Sequence, residues 1–342
     1  MKKILFAATA LSAALFASCD KETETMNPLQ PGTADGAQVT ITLSGADAET
    51  RAFFNTTAKA ESWESSLSSL SVFAFDNGGG LIIRRDFTSS ELASKSATFS
   101  LPKSAAGTEC SFYAVANYDA SSAKTRAALT AFVEKSAADY NGTFAEVSSA
   151  AKRSGGFVMS GMKSQTVGAV NSTTNVGIPL KRTVAKVALQ TTVDESFADK
   201  YAGELTINSV KLSKAASQSS VVAGTPMPGA MSFSHTQTPA SASGKMNSLF
   251  YIFENGTLTA GSRVLLEINA TYDQDGNGST TDDRSEVTYS VELTGKAAGE
   301  ILRNGYYRVA ANITGLVGQE CAVSVTVADW ETPVTQNVEL GA

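Results

Sequence analysis

The stretch VTITLSGADAETRAFF, residues 39–54, sets a good β-strand beside a ready-made cutting site. Val39, Ile41 and Leu43 fall on one face and Thr40 and Thr42 on the other, the period of two that marks a half-buried strand. The pattern then stops. SGADAETR is small, polar and flexible, and it ends in a lone arginine, Arg51, with Ala52 and an aromatic pair beyond it. Exposed small residues around one arginine are what a trypsin-like protease requires. Taken alone, an arginine in a polar loop is a solvated residue without a role; its place just after the first strand makes it a candidate scissile position.

The chain upstream of this strand reads as an export signal. Lys2 and Lys3 form a charged head, and ILFAATALSAALFA is an apolar run too short for a comfortable membrane span. It ends in FASC, small residues directly before Cys19, which is similar to a lipoprotein processing box in which the cysteine is acylated and becomes the new amino terminus. Residues 1–18 are therefore expected to be a signal peptide, with ordinary secretion and a passenger Cys19 as the alternative. Residues 19–36 are polar, acidic and broken by Pro28 and Pro31, the composition of a tether.

The 342 residues can close two cores of ordinary size. Lys and Arg number 27 against 33 Asp and Glu, a net charge of −6, so no basic face is available for a phosphate backbone and nucleic acid is not expected as a partner. Small and β-prone residues dominate. Strands are read at SATFSLP, CSFYAVANYD, GFVMSG, VGIPLKRTVAKVALQTTV, GELTINSVKLS, SLFYIFENG, RVLLEINATYD, SEVTYSVELTG, GYYRVAANITG and CAVSVTVADW, and SSLSVFAFDNGGGLIIRRDF reads as a hairpin turning at residues 76–80. One helix is expected over 122–140, from the helical spacing of Leu129, Phe132, Val133 and Ala137 and the Asn141-Gly142 stop, and a Ser/Ala/Pro-rich loop over about 214–243. Short strands with little helix predict an all-β chain of two tandem β-sandwiches, 37–181 and 182–342, with the boundary near Lys181-Arg182. Cys110 and Cys321 sit in alternating strand contexts and read as small buried residues; a disulfide between them is the alternative.

The last segment does not stop at a core strand. Trp330 closes the CAVSVTVADW strand, Pro333 breaks the ladder, and VTQNVEL begins a tail in which Val334, Gln336, Val338 and Leu340 share a face. No later strand is present to pair with it. An early strand that can be cut away and a late strand without a home suggest exchange between subunits: loss of 38–43 opens a groove whose backbone groups need partners, and a neighbour's tail can fill it by strand addition. Repeated head to tail, such a contact gives a fibre.

The set SCDKE, VTITL followed by TRAFF, VANYD, GFVMSG, PLKRTVAKVAL, NGYYRVAANITG and VTVADWETPVTQNVEL resembles, in order and spacing, the fimbrillins, the lipoprotein-derived major subunits of type V pili of the Bacteroidales. The resemblance implies two transthyretin-like β-sandwich domains, export as an outer-membrane lipoprotein, cutting at the surface by an arginine- or lysine-specific protease, and polymerisation by donor-strand exchange with copies of itself and other pilins into an extracellular adhesive pilus. Carried onto this chain, it implies Cys19 as the acylated residue, Arg51-Ala52 as the scissile bond, residues 38–43 as the discarded strand and residues 332–340 as part of the donor, within a tail of 332–342. Gln336 puts an amide on the face expected to be buried, so the register is open to a shift. Alternatives are an uncut surface lipoprotein that binds glycan or a host protein through its loops, and an accessory subunit at the tip or base.

Enzyme chemistry has little to stand on, and neither catalysis nor a cofactor is expected. The single histidine, His235, lies in SFSHTQTP with no cysteine or acid placed to activate it and reads as solvated loop. Residues 273–283, DQDGNGSTTDD, put Asp273, Asp275 and Asn277 at the first, third and fifth places of a calcium loop, but the twelfth place is Arg284 where a bidentate glutamate belongs, so an acidic hairpin loop is the expected reading. DNGGGL is a turn, since no helix follows to hold a phosphate. Trp63 and Trp330 read as core or strand-end plugs.

Overall fold

The computed structural model describes residues 36–45 and 60–316, apart from the single positions 136, 223, 225, 228, 240, 241, 279, 296 and 297, together with the backbone of 322–329 and 339–340. Cys19, Arg51, Ala52, Cys321, Trp330, Val334, Gln336 and Val338 lie outside the described residues.

In chain order the first half runs β1 (Ala37–Ser44), β2 (Leu70–Phe75), β3 (Leu81–Asp86), α1 (Ser89–Ser94), β4 (Ser96–Leu101), β5 (Glu109–Ala116), α2 (Arg126–Thr130), β6 (Val133–Glu134), α3 (Phe144–Val147), β7 (Met159–Thr166), β8 (Thr173–Pro179) and β9 (Lys181–Arg182). The second half runs β10 (Val184–Val193), α4 (Ser196–Lys200), β11 (Glu204–Ala215), β12 (Ser219–Ser220), β13 (Met231–Thr236), β14 (Lys245–Phe253), β15 (Leu265–Asp273), β16 (Arg284–Glu292), β17 (Gly305–Ile313), β18 (Ala322–Asp329) and β19 (Glu339–Leu340).

Two β-sandwiches result. In the first, the five-stranded sheet β3-β2-β5-β7-β9 faces the three-stranded sheet β4-β1-β8. Their inner faces interdigitate through Val72 and Ala74 of β2, Cys110 and Phe112 of β5, Phe99 of β4 and Val176 and Ile178 of β8. In the second, β14-β10-β17-β18-β19 faces β13-β11-β15-β16 around a larger core that includes Leu189, Ile207, Phe250, Ile268 and Val309. The β2–β3 hairpin turns where its composition requires it: Asp76 Oδ1 accepts the Gly80 N–H at 2.8 Å, and Gly79 holds a φ of +83° that a side chain would strain. Cys110 is a buried thiol on β5, as its strand context implies.

The sandwiches are not strung like beads. The outer face of β2 and β5, carrying Phe73, Phe75, Tyr113 and Val115, is covered by Leu129 and Val158 of the first half and by Val221 and Val222 of the second. There β12 pairs with β6, joining Ser219 to Glu134 and Ser220 to Val133.

That pairing corrects the helix expected over 122–140. Helix survives only at Arg126–Thr130, where the Thr125 side chain accepts the Ala128 N–H. Val133 and Glu134 are drawn into β6, and Ala137–Tyr140 form a 3-10 turn. Helical spacing was present, but long-range strand pairing outweighed a propensity worth only tenths of a kcal/mol per residue, about 0.7 at most. The loop expected at 214–243 is corrected likewise, since it holds β12 and β13. His235 is not solvated: it lies on β13, 4% exposed, stacked on Phe250 at 4.4 Å with its Nε2 3.0 Å from the Gly142 carbonyl. Alternation in SFSHT turns Phe233 and His235 inward, a period the Ser and Pro content disguised. The tail also has a partner within its own chain, because Leu340 and Glu339 pair antiparallel with Val323 and Ser324 of β18.

Burial lowers the pKa of His235, and Nδ1 has no hydrogen-bond partner among the described residues. Unfolded chains therefore bind a proton more readily than the folded protein, and stability contributed by the neutral ring is complete above about 6.5 and is lost as pH falls from there toward the lower folded value. Thermal melts from pH 7.5 to 5 should show a decline below 6.5 that His235→Phe, which keeps the ring stack, removes.

Candidate functional site

The strand that opens the reading, β1, occupies the middle of its sheet. It runs antiparallel to β4, with Val39 opposite Phe99 and Ile41 opposite Ala97, and parallel to β8, with Val39 opposite Thr174 and Ile41 opposite Val176. Both edges of its backbone are thus used. Ala37, Val39 and Ile41 are fully buried and Leu43 nearly so, all four facing the first core, whereas Thr42 and Ser44 face solvent. Side chains add to the ladder: Thr40 Oγ1 lies 2.9 Å from Thr98 Oγ1, and Ser96 Oγ donates to the Ile41 carbonyl at 3.1 Å. At its two ends Gln38 N–H donates to the Ser172 carbonyl and Leu43 N–H to the Lys95 carbonyl, each at 2.9 Å.

Each wall is held by something other than β1. The β8 wall crosses β7 so closely that a Cβ on Gly161 would sit 2.1 Å from the Pro179 carbonyl oxygen, which only glycine permits. The β4 wall continues from α1, whose Glu91 is paired with Arg85 of β3 at 2.9 Å and closes a capping box with Thr88. Withdrawal of β1 from between these walls leaves two unpaired strand edges and a trough with Ala-, Val-, Ile- and Leu-sized recesses at every second residue. Of the predicted site residues, Val39, Ile41 and Leu43 are brought together here; of the predicted donor residues only Leu340 falls in the described backbone, on β19, paired with Val323 of β18.

A second cluster was missed by sequence reasoning. Glu64 and Lys186, 122 residues apart, are both fully buried and paired at 2.8 Å, while Tyr251 Oη also donates to the Glu64 carboxylate at 2.5 Å. Glu64 Oε2 accepts the Glu61 N–H at 2.7 Å, and Arg182 Nε donates to the Glu64 carbonyl at 2.7 Å. Desolvation lowers the Lys186 pKa, with Glu64 offsetting part of it, and raises that of Tyr251. The one signal in the sequence is a lysine inside the apolar run TVAKVAL, where alternation sets Val184 and Lys186 on one face against Ala185, Val187 and Leu189 on the other.

The acidic hairpin loop closes β15 onto β16 with Asp273 opposite Arg284. Asp273, Asp275 and Asp283 gather their oxygens within 4.8 Å of one another, and Arg284 Nε sits 3.1 Å from Asp273 Oδ2. Asn277 is turned instead to Asp275 and Thr280. The guanidinium thus balances the charge of Asp273, one carboxylate of the three.

With the strand and its trough defined, comparison with known proteins is decisive. The family model for the major fimbrial subunit protein (FimA) matches residues 37–208, just over half of the chain and starting at the first residue of β1. The protein belongs to the FimA fimbrial subunit family. The FimA-type fold extends to solved structures: a candidate cell adhesion protein from Bacteroides eggerthii (18% identity, 86% of this chain and 96% of that one, TM-score 0.58), another from Parabacteroides distasonis (15%, 88% and 98%, 0.59), and the tip fimbrial protein Mfa3 from Porphyromonas gingivalis, truncated at its C-terminus (15%, 86% and 99%, 0.55). At these identities the likeness is one of fold. No curated protein matches the sequence significantly.

Because Ile41 is buried among the first core, Ile41→Ala should cost the intact FimA-type subunit about 2–5 kcal/mol in denaturant unfolding.

Proposed function

We propose that this FimA-family chain is a pilus shaft subunit: exported as a lipoprotein acylated at Cys19, cut between Arg51 and Ala52 by an arginine- or lysine-specific surface protease, and polymerised when the tail of one copy, 332–342, takes the place of β1 in the next. The observation that carries the reading is the position of β1, central, buried on one face and joined to the body through the segment that bears Arg51. A central strand cannot leave without its neighbours being satisfied again, so its loss drives the binding of a replacement. The tail has the alternating apolar pattern such a replacement needs, and Val338, Leu340 and Val334 would each contribute about 1.5–3 kcal/mol on burial.

In this reading the units are the tether 19–36, a first sandwich over 37–181 that provides the acceptor and a second over 182–342 that provides the donor. The partners are copies of the chain and other pilins, and before cutting the outer membrane through the lipid. Fimbrial subunits are structural, and none of the residues assigned here carries out a reaction. Adhesion to a host or bacterial surface belongs to the assembled fibre.

Two measurements test the proposal. Protein sheared from cells should begin at Ala52 and run as multimers, whereas a lipidated monomer beginning at Cys19 would mark an uncut surface lipoprotein. Deletion of 332–342 should leave a folded monomer that accepts a donor but cannot pass one on; polymer of unchanged length would exclude the tail as donor.

A further inference from the structure

Residues 60–65 follow the segment that bears Arg51 and, by sequence, belong to the first sandwich, yet physically they are part of the second. Ala60 is buried in the second core and Trp63 packs against it. The 3-10 turn Ser62–Ser65 delivers Glu64 to Lys186 of β10 and Tyr251 of β14, while Arg182 grips the turn's backbone and also reaches Asn304 Oδ1 at 2.9 Å. Asn304 N–H in turn donates to the Val184 carbonyl. Lys186 Nζ further lies 5.1 Å over the Tyr306 ring. A carboxylate and an ammonium fully withdrawn from water hold each other firmly, because parting them would leave two uncompensated buried charges.

Resting on the strand-release reading above, we propose that the Glu64–Lys186 pair is an anchor for the new amino terminus: it confines the release to the segment ahead of residue 60. Cutting at Arg51 removes the attachment of the following residues to β1, and without an anchor the freed end would peel away toward β2, which begins only five residues after Ser65, and open the first sandwich from its five-stranded side as well. With Glu64 held by the second sandwich, loss of β1 opens one sheet while the other stays closed, so the trough keeps its floor.

Hydrogen exchange of the full chain, before and after treatment with an arginine-specific endoprotease, reads the two events separately: amides of β4 and β8 report departure of β1, and amides of residues 61–75 report the anchor. In the wild type, cutting should expose β4 and β8 while 61–75 exchange as slowly as before. In Glu64→Gln, which keeps the shape but strands the lysine charge, amides 61–75 of the cut protein should exchange on the order of 100-fold faster, the scale of losing one member of a buried pair. Tyr251→Phe, a milder change that preserves the core should Glu64→Gln fail to fold, should give about tenfold, the scale of one hydrogen bond to a charged group. Cut variants that protect 61–75 as well as the cut wild type does overturn the anchor. Retained protection of β4 and β8 in the cut wild type overturns strand release itself, and with it the need for an anchor.

Discussion

Every hydrogen-bonding group on the backbone of an interior strand must be met, and β1 is an interior strand placed at the very start of the described chain. The first sandwich is organised around that constraint. The three-stranded sheet exists only because β1 joins β4 to β8; these two strands do not pair with each other, and no other described strand lies between them. A fold that relied on its first strand in this way would be fragile if that strand were its sole support. It is not, because β8 is crossed by β7 at Gly161 and β4 is tied through Glu91 to Arg85, so the walls have holds independent of their shared neighbour.

How much of this could be read in advance differs from element to element. Alternation was sufficient for β1, for the β2–β3 hairpin and for the β15–β16 hairpin, where a period of two and turn-forming Asp, Asn and Gly residues agree. It failed where distant segments decide. Val133 and Glu134 take strand geometry from Ser219 and Ser220, a pairing no local window contains. His235 was concealed by serine and proline around it, although its neighbour two residues back, Phe233, shared its face. The burial of Lys186 was not legible for another reason: β10 is covered on both sides, so alternation no longer separates inside from outside, and the lysine is an interior residue paired with Glu64. The candidate strand itself was legible from pattern alone, but its central place between one antiparallel and one parallel neighbour was not.

The two sandwiches share more than a covalent link. Val221 and Val222 complete the cover over Phe73 and Phe75, Ser160 Oγ of β7 donates to the Val221 carbonyl at 2.6 Å, and Asn141 clasps the backbone of Tyr251 with both ends of its amide. Contacts of this kind make the pair resist bending as one body, since any hinge between them would have to expose apolar side chains and part buried polar groups.

The mixed pairing around β1 has a geometric corollary. Its walls point in opposite directions, β4 against it and β8 along it. Any strand laid between them, whichever way it points, meets one wall head to tail and the other side by side, so the main-chain ladder is blind to the polarity of what fills it. In the proposed exchange, the heading of an incoming segment would be left to the order of side-chain bulk along the site of β1, which rises from Ala37 through Val39 to Ile41 and Leu43, as the notches of a key admit it one way round.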